Sequence, residues 1–423
     1  MSIRKNTIWN LFGSASPMLI GVVSLPYLLH NIGVEKLGVL TMVWTLIGYF
    51  SVFDFGLGRA LTHKVATLRL QGQENSLAGA IKFGLLLMFL TGVVGTLIVV
   101  IILGIGGVEW LNFSKEIYDD AFVAMIIAAV SIPITTITSG LKGVLEGFEE
   151  FKIANILRFL LGLSSFLSPV LSVYVLGSNL TYIVLLLIVS RLIIMILHVI
   201  GVWGLLPADK LTKYNHKEDK KDLFVFGAWM TVSNVVSPLM VVADRFVISH
   251  VVGASMVAYY TVPSEFLIRL LVIPSALTAA LFPVFTQKIC IDITKTKILY
   301  WHSLQTIASV MLPLVIIIVF GSHFGLSVWL GEDFAGHSYI VVNILAVGVL
   351  FNSLAQIPHS VIQANGNVKL TSLIHLSEFV LYVPMLFILL FKFGIIGAAV
   401  TWALRALIDL IVLHKYAQSK VRV

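Results

Sequence analysis

Long apolar stretches divided by short polar connections recur along the whole chain. A bilayer core about 30 Å thick takes roughly 20 apolar residues per spanning helix. Stretches of that length predict twelve spans: 7–30, 37–63, 79–104, 119–141, 153–175, 181–206, 223–250, 257–285, 298–320, 336–362, 370–391 and 395–416. Several exceed 25 residues, which predicts tilt or kinking. Prolines lie inside many of them, including Pro17, Pro26, Pro133, Pro169, Pro238, Pro274, Pro313, Pro358 and Pro384. A spanning helix tolerates proline where neighbouring groups satisfy the freed carbonyl, so the pattern suits a kinked bundle around a cavity better than a rod-like anchor. The first stretch follows Arg4 and Lys5 but is too long for a signal-peptide core, and reads as a retained span.

Composition agrees. Of 423 residues, 58% are apolar and 12% charged, with a mean hydropathy of +1.00, against about 25% charged in ordinary soluble domains. So little charge on so much apolar surface excludes a soluble enzyme, a nucleic-acid reader and a secreted disulfide scaffold. The fold class expected is an all-α polytopic membrane protein. Cys290, the single cysteine, permits no internal disulfide and no cysteine-based metal site. The net charge of +7 comes from basic connections on one side. Only Lys36, Lys115 and Lys392 fall in the odd-numbered connections, so the positive-inside rule places both termini in the cytoplasm. The outer stretches around 105–118 and 321–335 are too short to fold into a catalytic domain.

An offset near 220 relates the two halves. His30–Gly33 matches His250–Gly253, Trp110–Leu111 matches Trp329–Leu330, and Gly147 matches Gly366, each pair at the same place in the same-numbered span of its half. The organisation expected is a six-helix lobe over 1–206, a Lys-rich cytoplasmic linker over 207–222 and a second six-helix lobe over 223–423. Six spans per copy make the copies parallel, one of the repeat arrangements of secondary transporters, which bind substrate at the repeat interface.

Charge inside the spans carries the candidate chemistry. A charge at the bilayer centre costs roughly 2.5–3.5 kcal/mol on insertion scales, so each in-span charge poses a functional question. Eleven lie clear of the span ends: Asp54, Arg59, Arg158, Arg191, Asp244, Arg245, Glu265, Arg269, Glu378, Arg405 and Asp409. Six of the nine arginines lie in spans, whereas the lysines gather in the connections and at their edges. Arginine keeps its charge when buried and presents a planar fork that matches phosphate or carboxylate oxygens two at a time. Arg59, Arg191, Arg245, Arg269 and Arg405 are therefore the candidates for a cationic site. Asp54, Asp244, Glu265, Glu378 and Asp409 are candidates for binding a coupling proton or sodium ion. The spacing also allows a purely structural pairing, Glu265 with Arg269 and Arg405 with Asp409 at i,i+4, and Arg245 with Glu265 across neighbouring helices. Arg158, with Arg59, falls at the cytoplasmic mouth, where an arginine can snorkel to headgroups.

Soluble-enzyme motifs are missing. The D-F-G-L-G-R-A string at 54–60 has no preceding strand, no P-loop occurs, and the eleven histidines form no H-E-x-x-H, so neither a nucleotide site nor a metal is expected. The tryptophans mostly mark span ends, with Trp44 and Trp402 as candidates for sugar stacking.

Several segments resemble the O-antigen flippases of the multidrug/oligosaccharidyl-lipid/polysaccharide exporter superfamily. They are N-x-x-W-N-L-x-G at Asn6 to Gly13, G-V-E-K-L-G-V-L at 33–40, Y-F-S-V-F-D-F-G-L-G-R-A at 49–60, D-R-F-V-I at 244–248 with V-V-G at 251–253, and Q-A-N-G-N at 363–367. The resemblance runs the length of the chain, and of the charged candidates it touches only Asp54, Arg59, Asp244 and Arg245. It implies about twelve spans in two pseudo-symmetric lobes around a cationic cavity, with alternating access. It also implies a cargo, an undecaprenyl-diphosphate-linked oligosaccharide moved from the cytoplasmic to the periplasmic leaflet of the bacterial inner membrane. The partners implied are that lipid, the membrane and other O-antigen assembly proteins, with no nucleic acid and no cofactor beyond a coupling ion. Two alternatives stand beside it: a drug/cation antiporter of the same superfamily, and a membrane-embedded polysaccharide polymerase or acyltransferase.

Overall fold

Glycines and prolines decide where the long apolar stretches break. The computed structural model describes residues 3–49, 57–206, 244–291, 293–365 and 368–421, with the side chains of 3–19 and a few other positions, Arg59 among them, left outside the description. All regular structure among these residues is helical. In chain order the helices are α1 (Ile3–Tyr49), α2 (Leu57–Leu70), α3 (Glu74–Ile102), α4 (Tyr118–Val130), α5 (Ile132–Gly147), α6 (Phe151–Leu176) and α7 (Leu180–Trp203). They continue with α8 (244–252), then α9 (Ala254–Arg269), α10 (Val272–Ile291), α11 (Ile293–Leu330), α12 (Glu332–Ala364) and α13 (Val368–Tyr416). Eight segments of the described residues are long and apolar enough to cross a membrane. Two helices each contain a pair of expected spans: α1 turns at Gly33 and α13 at Gly394, both with non-helical backbone. Residues 50–56 of the second expected span, and 223–243 of the seventh, lie outside the described residues.

The chain divides into two compact units, Met1–Leu239 and Met240–Val423; the linker expected at 207–222 lies outside the described residues. In the first unit α1 packs on α6, α5 on both α2 and α3, and α7 on α6 and α4. The core beneath α2 combines Leu61, Val65 and Leu68 with Ile81 of α3, Leu141, Val144 and Leu145 of α5, and Val202 of α7. Close approach there depends on Gly143: a Cβ at that position would sit 2.5 Å from the Gly58 carbonyl oxygen. Small residues of this kind let spanning helices meet without a hydrophobic driving force. In the second unit α12 is central, packed by α9, α10, α11 and α13. Half of its apolar window is buried, against 17% for α11. Outward-facing apolar groups such as Phe320 and Tyr174, more than 80% exposed, are the lipid-facing surface expected of spanning helices.

The expected kinks fall at two of the prolines. Ser131, two residues before Pro133, separates α4 from α5, and Leu270–Leu271 separate α9 from α10 ahead of Pro274. Proline lacks the N–H that would continue the ladder and disfavours helical backbone in the residue before it.

Glycines of positive φ stand at several turns and helix ends. Gly33 (φ 79, ψ 165) and Gly253 (φ 94, ψ 160), equivalent in the two halves, share one conformation, and Gly331 repeats it at φ 95, ψ 162. Gly177, at φ 87, ψ −172, is close to it. This region of φ/ψ is essentially glycine's alone, and other residues held there cost about 1–3 kcal/mol. Nothing lies within 4 Å of a Cβ built on Gly253, so Gly253→Ala carries that conformational cost without a clash. Thermal unfolding in detergent should show the loss, whereas Gly325→Ala, in open space within α11, should be neutral or slightly stabilising. In the first unit the Gly33 turn is tied down by its neighbours: Ser114 N–H donates to Glu35 (2.8 Å), and Lys36 Nζ donates to the Ser178 carbonyl (2.8 Å). Lys36 also lies 3.9 Å from Asp120, whose carboxylate accepts the Leu180 and Thr181 amides.

Candidate functional site

In the first unit the sequence places Arg191 midway along α7, and the helix buries it. The residue is 9% exposed. Its Nη2 donates to Ser165 Oγ of α6 at 3.2 Å, and its Nε has no hydrogen-bond partner. No carboxylate pairs with it among the described residues. The same turn of α6 presents Phe166 to Trp44, with ring centroids 5.3 Å apart and edges meeting faces. The indole Nε1 of Trp44 also lacks a partner. A guanidinium and an aromatic N–H thus stand in this interior with donors to spare. Arg158 behaves differently: its Nη2 lies 3.4 Å from Glu146, which Lys142 also approaches at 3.6 Å. Asp54 lies outside the described residues, as does the side chain of Arg59.

In the second unit two groups of charges form within the bundle. Asp244 and Arg245 are adjacent at the start of α8, and both engage α9. Tyr260 Oη donates to Asp244 Oδ2 at 2.7 Å, and Arg245 pairs with Glu265. Asp244, Arg245, Tyr260 and Ser264, with Leu345, Val349 and Trp402, line a small cavity of about 10 Å³. It is partly open and narrow, sized for a water molecule or a bare ion and not for a pyrophosphate. Asp244 Oδ1 has no hydrogen-bond partner. Arg269 ends α9, half-buried at the break before Pro274, and pairs with no carboxylate among the described residues.

The second group is gathered from α12 and from both arms of α13. Arg405 Nε lies 3.7 Å from Glu378 Oε2, and Asp409 Oδ1 lies 3.8 Å from His375 Nε2. His359 of α12 stacks on His375, centroids 5.5 Å apart and planes 8° from parallel. Glu378 and Asp409 are 5% and 6% exposed. Tyr382, one turn from Glu378, is buried, and its hydroxyl makes no hydrogen bond.

The i,i+4 couples that the spacing allowed do not form. Glu265 turns to Arg245, Arg405 to Glu378 and Asp409 to His375, all on other helices or on the other arm of α13. Helix-to-helix pairing in a low-dielectric interior gains more than pairing along one face, because it neutralises charges that packing has already removed from water. Arg245 and Arg405 therefore have carboxylate partners, and Arg191 and Arg269 have none among the described residues. Sequence reasoning missed His359, His375, Tyr260 and Tyr382. Only His375 offered a signal, three residues before Glu378 on one helical face.

Comparison with known proteins follows the same line. The family model described as polysaccharide biosynthesis protein matches residues 3–288. A Shigella flexneri protein provisionally named an O-antigen transporter is 35% identical over 415 residues, 98% of this chain and 97% of that one. Among solved structures, an inward-facing MATE-family multidrug resistance transporter of the MOP superfamily superposes with a TM-score of 0.81 at 15% identity, covering 100% of this chain and 95% of its own. The lipid II flippase MurJ, in an inward closed conformation, superposes at 0.72 and 15% identity, covering 97% and 88%. These two similarities establish the transporter fold. Together with the full-length match to the Shigella flexneri relative, the family match over 3–288 shows that the chain belongs to the polysaccharide biosynthesis protein family.

Proposed function

We propose that the protein is a secondary flippase for an undecaprenyl-diphosphate-linked oligosaccharide, an O-antigen repeat unit, and is not an enzyme. It works in the bacterial inner membrane with both termini in the cytoplasm, exporting the lipid-linked sugar to the periplasmic leaflet by alternating access. The observation that carries this reading is Arg191: a permanent cation inside a spanning helix, with no carboxylate beside it among the described residues and with donors unused. Such a group suits an incoming anion, and its fork suits phosphate oxygens. The Shigella flexneri relative supports the cargo class. Arg269, also without a carboxylate partner, is the second cation available to the diphosphate. Arg245 and Arg405, held by Glu265 and Glu378, serve as internal counter-charges.

Moving two negative charges outward across an inside-negative potential of about 100 mV releases roughly 4–5 kcal/mol, enough to drive export without nucleotide. A proton or sodium ion then resets the carrier, and Asp244, which lines the ion-sized cavity and has one oxygen without a hydrogen bond, is the acid best placed to take it. The drug/cation antiporter reading has the higher-scoring fold match but offers no use for the partnerless arginines. Complementation of a flippase-null strain, scored by surface polysaccharide, tests the reading directly. The intact protein should restore the polysaccharide, and Arg269→Ala should reduce it about tenfold or more, the loss of a charge-assisted hydrogen bond worth about 1.5–3 kcal/mol. No restoration by the intact, correctly inserted protein would reject the function.

A further inference from the structure

The cluster in the second unit has the composition and spacing of a ligand set. His375 Nε2, one oxygen of Glu378 and one of Asp409 all lie within 4.8 Å of one another, the only such group of three His, Cys, Asp or Glu side chains among the described residues. His375 and Glu378 project from one face of α13 at i,i+3, the spacing that places a histidine and a glutamate on a common metal in helical bundles. Asp409 completes the set from the other arm of the helix.

Three features separate this arrangement from a closed salt bridge. Both oxygens of Glu378 and Oδ1 of Asp409 are shielded from solvent and make no hydrogen bond. Their side chains are 5% and 8% exposed. The His375–Asp409 separation of 3.8 Å exceeds the 2.7–2.9 Å of a charged N–H···O bond. It lies nearer the ligand–ligand edge of about 3.3 Å that bonds of 2.0–2.1 Å give around a tetrahedral ion. Third, two carboxylates share this interior with a single guanidinium: Arg405 approaches Glu378 through Oε2, and Oε1 makes no hydrogen bond. His359, stacked on the ring, fixes the plane in which His375 presents its nitrogen.

We propose that His375, Glu378 and Asp409 form a binding site for a divalent transition-metal cation, zinc or a borderline relative, inside the C-terminal unit. The imidazole decides the class. Sodium, magnesium and calcium favour all-oxygen sites, whereas one nitrogen with two carboxylates suits zinc, cobalt and nickel. A water molecule takes the fourth position. The sequence contains no contiguous metal motif because the ligands come from positions 375, 378 and 409 and only folding of the two arms brings them together.

The test is binding and is independent of transport, so it stands apart from the flippase reading. Untagged full-length protein in detergent is titrated with Co²⁺, whose visible absorption reports its coordination. The expected result is one saturable Co²⁺ with an enhanced absorption band, displaced by Zn²⁺. His375→Gln should abolish the band, and Asp409→Asn should weaken binding at least tenfold. His323→Gln, at a histidine outside the cluster, should leave it unchanged. Zn²⁺ should also raise the midpoint of thermal unfolding of the intact protein and not that of His375→Gln, which settles the matter if an acid variant fails to fold. Absence of saturable Co²⁺ binding by the intact protein, or full binding by His375→Gln, would overturn the site.

Discussion

Arg191→Ala should eliminate most export while leaving the protein at least as stable as before. The two readings of this residue predict opposite signs for stability, which makes the variant decisive. If the guanidinium stapled α7 to α6, its removal would weaken the bundle. Its one side-chain contact, however, is the Ser165 hydroxyl at 3.2 Å. A buried cation without a carboxylate pays a desolvation penalty that one neutral hydrogen bond does not offset, so alanine relieves more than it loses. If the group instead grips phosphate oxygens, losing a two-pronged charged contact worth about 3 kcal/mol or more lowers transport about a hundredfold. Lysine should restore part of it, supplying the charge without the planar fork. Surface polysaccharide in a flippase-null strain reads the first quantity and thermal unfolding in detergent the second. A destabilised variant with proportionate activity per folded molecule would assign Arg191 to structure.

Arg405→Gln should be the most destabilising of the charge variants. It leaves Glu378 and Asp409, both buried, facing each other without a cation, and breaking one side of a buried pair costs about 3–5 kcal/mol. The Glu378→Gln change in the same background should recover much of that loss, since a neutral amide beside a single carboxylate removes the repulsion. A double-mutant cycle on thermal stability measures this coupling, and additive effects would contradict the pairing. The Arg245–Glu265 pair should be less sensitive from its acidic side. Glu265 is 45% exposed, and an acid in contact with polar surroundings loses less when its partner is removed.

The fold was legible in the chain to a large degree, for physical reasons that differ by element. Apolar stretches such as 181–206 had to be helical because lipid offers nothing to satisfy a free backbone group, and α7 follows that stretch closely. The glycines at 33 and 253 marked two breaks in the helices, since their backbone region excludes side chains. The continuation of α11 to 38 residues, about 57 Å of helix, was not legible. Its N-terminal extension through Ile293–Lys297 is polar enough to look like a connection, and its helical form rests on continuity with the span.

The candidate site was legible only as an inventory. Selecting arginines within spans picked out Arg191 and Arg269, which have no carboxylate beside them among the described residues, together with Arg245 and Arg405, which do. Nothing in the linear order separates the two kinds. The helical spacing pointed to Arg405 with Asp409, whereas packing turned Arg405 to Glu378 and left Asp409 to His375.

Hydropathy, turn glycines and the distribution of lysine and arginine along the chain were sufficient to set the all-helical membrane class, the turn at Gly33 and the presence of costly charge in the interior. Each of those follows from local chemistry: the transfer of a stretch of side chains into lipid, or the backbone freedom of one residue. Which charge meets which, where an ion-sized cavity opens beside Asp244, and how residues 375, 378 and 409 come to one point were decided by tertiary packing. Those outcomes depend on the rotation and depth of helices relative to their neighbours, and a shift of one residue, about 100° around a helix, would have produced a different set of partners from the same amino acids.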